Sequence, residues 1–164
     1  MKKLQESIDN LIDRIGYLVS HLVIIMVFLV IITLFLRYVL NIGNIALQEL
    51  VMYFHAIFFM FGIAYAIKEN SHVKIDILSN KLHQKQKDVI FILGIIFLMI
   101  PFSLFTIYIS MDMVIKSWEI MEQSGEAGGL NLVYILKSII PISGFLILLQ
   151  SFSELIKKMI LIMK

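Results

Sequence analysis

His72 and Asp76 stand four residues apart in the stretch "AIKENSHVKIDIL", between two long apolar runs. On a helix, positions i and i+4 share a face, so an imidazole and a carboxylate at this spacing can pair. Such a pair could open a metal or proton site. A metal site needs at least a third ligand, and His83 is the only other imidazole nearby. The simpler reading is a loop-to-helix joint at a membrane surface, with Asn70 or Ser71 capping the first free N–H groups. That reading is favoured here.

Two further imidazoles, His21 and His55, lie inside apolar runs. A haem held between helices needs two histidines at similar depth. His21 sits towards the inner end of the first run and His55 towards the outer end of the second, which separates them by roughly 10 Å or more. Each is expected to hydrogen-bond between helices, and no cofactor is expected. Arg37 and Glu49 fall at the outer ends of the same two runs, joined by the tight turn "NIGN". A salt bridge between them would close a helical hairpin, and contact with a partner is the equal alternative. Arginine at mid-membrane costs about 2.5–3.5 kcal/mol, so Arg37 belongs at the interface.

These residues must be positioned by membrane-spanning helices. The chain has 164 residues, 60% of them hydrophobic, and its mean hydropathy is +0.93. A soluble domain keeps more polar residues than that to cover its surface. The charges are excluded from four blocks. No Asp, Glu, Lys or Arg lies between Arg14 and Arg37, between Glu49 and Lys68, between Asp88 and Asp112, or between Lys137 and Glu154. A spanning helix needs about 20 apolar residues. The expected fold is an all-α integral membrane protein with one domain over residues 1–164. Its four spans fall near 15–37, 46–67, 89–110 and 132–155. The first exceeds a signal-peptide core and is read as a retained anchor.

Lysine and arginine gather on one side: the N-terminal segment, the loop 68–88 and the C-terminal end. The other side carries only Arg37, Lys116 and Lys137, and is acidic at Asp112, Glu119, Glu122 and Glu126. By the positive-inside rule both termini are expected in the cytoplasm and the loop 111–131 in the periplasm. Apolar spacing at Leu4, Ile8, Leu11 and Ile12, and at Ile75, Leu78 and Leu82, reads as two short amphipathic helices on the inner surface, where lysines meet lipid headgroups. Met111, Val114, Ile115, Trp118 and Met121 repeat at helical spacing. The third helix is therefore expected to continue past the bilayer or turn along its face, with Trp118 as an interfacial anchor.

Inside the spans the polar signals point to packing. Pro101 removes a backbone donor and predicts a kink. Ser103, Thr106 and Ser110 form a weakly polar stripe, and His55, Gly62 and Ala66 a small-residue stripe fit for close helix approach. Gln150 is the only amide deep in the fourth run. No Asp, Glu, Lys or Arg lies near mid-membrane, where ion-coupled transporters and proton relays usually hold one. The chain has no cysteine, which excludes disulfides, thiolate metal sites and cysteine nucleophiles. No compact basic cluster suggests nucleic acid. The reading is a scaffold or accessory subunit, with an independent homo-oligomeric transporter or channel, or a membrane enzyme or cytochrome subunit, as alternatives.

Arg37-Tyr38 ends the first helix and Glu49 opens the second. They are followed by "FGIAYAIKENSHVKIDIL" over 61–78 and "GGLNLVYILKSIIPISGFLILLQ" over 128–150. In this order and spacing the chain resembles the small four-helix membrane subunit of TRAP (tripartite ATP-independent periplasmic) transporters, the DctQ-like family. It departs in having Asn131-Leu132-Val133-Tyr134 where a Pro-Trp pair is frequent, and Leu47 where a Trp is frequent. The resemblance implies two partners: a large membrane subunit that moves an organic anion with sodium, and a periplasmic binding protein that delivers it. It implies no catalysis. Arg37, Tyr38, Glu49, His72 and Asp76 are then structural or interface positions, as are Pro141, near the top of the fourth helix, and Gln150, at its end.

Overall fold

A computed structural model of the chain describes residues 2–69, 71 and 83–162. The described residues form four helices, each long and apolar enough to cross a membrane. Helix α1 spans Lys2–Tyr38 and α2 spans Ile45–Lys68. Helix α3 covers Gln84–Glu119, and α4 covers Val133–Ile162. The start of α1 and the end of α4 lie at one end of the bundle, here the termini end. The 39–44 turn and the 120–132 loop lie at the other, the loop end.

Helix α1 is one uninterrupted rod of 37 residues, about 55 Å long. The expected separate surface helix over the first 14 residues is therefore not formed. Its apolar face is spent on packing instead: Ile8 and Ile12 are buried with Ala64 of α2 and Leu146 of α4, and Ile15, Phe61 and Leu149 close around them. Nothing between residues 2 and 38 breaks a helix except Gly16, and that glycine is required. A Cβ there would strike the ring of Tyr65. The rod ends at Asn41, whose φ of 56° suits the short side chain of asparagine. Asn44 then caps α2, its side chain accepting from the Leu47 N–H at 3.0 Å.

Helix α3 starts where the His83 backbone N–H donates to Gln86 Oε1 at 3.0 Å. It widens into a π-helical turn over Ile95–Met99, immediately before Pro101. Proline cannot donate, and its ring collides with the carbonyl four residues back. The wider turn, with the Ile100 N–H reaching Ile95 O, makes room. Beyond it the helix continues to Glu119, the first of the two courses expected from the spacing.

Helix α4 is the centre. It packs against all three others, and α1 and α2 pack on each other, but α3 rests almost wholly on α4. Accordingly 33% of the apolar stretch of α4 is buried, against 6–11% in the other three. Small residues make the α3–α4 seam. Ser103, Ser110 and Ser117 recur every seven residues and are buried, facing a helix whose Ser143 is buried too. The hydroxyls of Ser103, Ser110 and Ser143 satisfy themselves on carbonyls of their own helix. This is the packing role expected of the stripe; Thr106 bonds Phe102 O, and its Cγ2 stands 3.4 Å from where a Cβ on Gly144 of α4 would be. At the termini end Asp13 pairs with Lys68, and Asp88 with Lys158 at 2.7 Å. These pairs fix the registers of α1 with α2 and of α3 with α4.

Candidate functional site

The densest polar construction outside the helix ladders is a cap at the loop end. Glu49, in the second turn of α2, reaches across to the loop 120–132. Its Oε1 accepts from the Ser124 hydroxyl, and its Oε2 accepts from the Leu130 N–H at 2.6 Å. The loop is also tied to itself, Ser124 N–H to Leu130 O at 3.1 Å and Gly129 N–H to Glu126 O at 3.0 Å. Two glycines make this possible. Gly128 adopts φ 81°, and Gly129 leaves the space that a Cβ would take 2.5 Å from Ser124 Oγ and 2.8 Å from Glu49 Oε1.

A second set of bonds ties the loop to α3 and α4. Glu122 Oε2 accepts from Ser117 Oγ at 2.6 Å and pairs with Lys137. Trp118 stacks edge-on against Tyr134, with ring centroids 4.7 Å apart, and donates its Nε1–H to Ser138 Oγ at 2.8 Å. Four segments thus converge on one cap. Outside it, Asp112, Glu119 and Glu126 are exposed.

The Lys137 ammonium and the Ser117 hydroxyl hold the Glu122 carboxyl below its ordinary value. The folded value is depressed, so this stabilisation is present above the ordinary 4.5 and is lost as pH falls through the lowered value. Thermal unfolding of the wild type and of Glu122→Gln checks this. The wild type's advantage is expected to be constant from about pH 6 to 8 and to disappear in acid. An advantage that persists in acid would assign it to packing instead.

The structure corrects the pairing expected for Arg37. Glu49 is committed to Ser124 and Leu130, and Arg37 is exposed with no ion pair among the described residues. Its neighbour Tyr38 is 74% exposed. His55 and His21 are both exposed on their helices, and no contact joins them. His21 Nδ1 lies 2.8 Å from Tyr17 O on its own helix, whereas His55 only stacks on Phe59. Neither makes the interhelical hydrogen bond expected of it among the described residues. Gly62 has open space where a Cβ would stand, so the close approach expected there is not made within this chain. Pro141 lies inside α4, one turn past Lys137 and Ser138. His72 and Asp76 lie outside the described residues, as does the helix expected around Ile75–Leu82. Among the described residues no three His, Asp or Glu side chains gather as metal ligands.

Gln150 does more than fill α4. It is fully buried, and its amide donates to Asp9 Oδ1 at 3.5 Å and to Glu154 Oε1 at 3.4 Å. Ser153 donates to Asp9 at 2.5 Å, and Lys157 reaches Glu154 at 3.2 Å. This second polar knot ties the start of α1 to the end of α4. Sequence reasoning missed it, although Gln150, Ser153 and Glu154 at i, i+3 and i+4 share one face and Asp9 precedes the first span by less than two turns.

Four apolar spans joined by polar knots at both ends define a polytopic, all-helical membrane protein. The family model of the DctQ component of tripartite ATP-independent periplasmic transporters matches residues 26–160. The chain belongs to that family, a family of transporter components rather than enzymes. No curated protein and no solved structure matches it.

Proposed function

We propose that the chain is the small permease subunit of a TRAP transporter in the bacterial inner membrane. It pairs with the large membrane subunit and widens its rigid scaffold. The large subunit takes up an organic anion with sodium, and a periplasmic binding protein delivers that anion. The family match carries this reading. The absence of Asp, Glu, Lys and Arg from the middle of the spans supports a scaffold rather than the ion-moving element. The lysine-rich termini support a cytoplasmic placement of that end. The cap of Glu49, Trp118 and Glu122 then faces the periplasm, near where the binding protein docks.

Purification of the tagged chain from its native membrane in mild detergent tests the proposal. A stoichiometric, much larger polytopic protein identified as the large TRAP subunit is the expected companion. Recovery of a homo-oligomer alone would overturn the reading, and solute transport by that oligomer in liposomes would replace it.

A further inference from the structure

Three of the four helices turn apolar surfaces outward over their middle turns. Helix α1 exposes valine, isoleucine, leucine and phenylalanine from Val23 to Phe35, α3 exposes Phe97, Leu98, Phe102 and Phe105, and α4 exposes Ile142, Phe145 and Phe152. Lipid chains suit such surfaces. Helix α2 differs. Apart from Tyr65, whose ring lies against Gly16 of α1, its exposed positions are Gln48, Met52, His55 and Phe59, and the same line continues through the half-buried Gly62 and Ala66. The steps along it are four, three, four, three and four residues. That is the seam spacing of a packed left-handed helix pair.

His55 stands six residues inside Glu49, about 9 Å into the charge-free run of this helix. It has no hydrogen bond among the described residues and only a ring stacked at 6.3 Å on Phe59. An imidazole at that depth is poorly accommodated by hydrocarbon and is satisfied by protein. Two turns further along, Gly62 meets nothing within 4 Å of an added Cβ. A glycine left open on the same face as the imidazole, about 10 Å along the helix, gives a neighbouring helix a close approach at one point and a polar contact at another.

We propose that the Gln48–Ala66 stripe of α2 is the seam on which a transmembrane helix of the large subunit packs, bringing a hydrogen-bonding side chain or a free carbonyl to His55. This rests on the subunit reading above. The test is photocrosslinking in membranes that contain both subunits, with benzoylphenylalanine at Met52 or Phe59 and, for comparison, at Phe97 or Phe105. Crosslinks to the large subunit are expected to be about fivefold or more stronger from α2 than from α3. Stronger crosslinks from α3, or crosslinks from α2 to a second copy of this chain, would overturn the seam. Gly62→Leu begins from a Cβ that meets nothing within 4 Å inside the chain. It is expected to leave the chain's own membrane level unchanged and to lower recovery of the large subunit about fivefold or more. Undiminished recovery would overturn the proposal. If the unsubstituted chain also recovers no large subunit, the subunit reading itself falls.

Discussion

Glu49→Ala is expected to release the loop cap from α2 and to cost about 2–4 kcal/mol of stability, because it removes two hydrogen bonds to an ionised acceptor. The loss does not stop at the bonds themselves. The Leu130 N–H and the Ser124 hydroxyl both end on this carboxylate, and the space left by Gly129 is shaped to it. A backbone donor stranded in a partly closed loop keeps its full desolvation penalty. Glu49→Gln separates the two contributions. Its remaining carbonyl oxygen accepts one bond, while its amide cannot accept the second, so about half the loss is expected. Helix α2 itself should persist, since Asn44 caps it independently. Thermal unfolding of the purified protein reads the stability, and protease cleavage within 124–129 reads the loop. A change below about 0.5 kcal/mol, the range of ordinary surface substitutions, would show that the cap is held by Trp118 and Lys137 alone.

Much of this was legible in the residues, but unevenly. The four spans follow from where charge is excluded, because each backbone crossing hydrocarbon must satisfy itself in a helix. Their ends are less legible. Helix α1 begins at Lys2 rather than near residue 15, because polar residues continue a helix readily once its apolar face at Ile8 and Ile12 finds a neighbour. Glu49 was visible as an interface acid, yet its partners were not. A charge-to-charge search selects Arg37, whereas the structure uses a backbone N–H and a serine hydroxyl eighty residues away in the chain or nearly so. Backbone donors carry no residue signature. The Gln150 knot escaped for a related reason: Asp9 reads as a solvated charge until α1 is laid along α4.

The unequal support of the helices leads to the other large effect. Helix α3 leans almost entirely on α4, and the two meet at Gly144. A Cβ at that position would stand 3.0 Å from Ile107 Cγ1 and 3.2 Å from the Ser103 carbonyl oxygen. The isoleucine can rotate away, but the carbonyl belongs to the helix ladder and cannot. Nor can α3 swing outward as a body, because Asp88–Lys158 holds one end and Glu122–Lys137 with Trp118–Ser138 holds the other. Gly144→Leu therefore forces the seam of buried serines apart from its middle. Overpacking of this kind costs about 1–3 kcal/mol or more, and the upper part of that range is expected. Gly94 is the control, on α3 itself: nothing lies within 4 Å of an added Cβ. Gly94→Leu should then remain within about 0.5 kcal/mol of the wild type. Chemical denaturation in detergent compares the two. Equal losses would mean that either leucine is costly wherever it enters α3 or its neighbour. A loss at Gly144 alone would locate the weak seam of the scaffold between α3 and α4, where the lipid side offers no other helix to replace the contact.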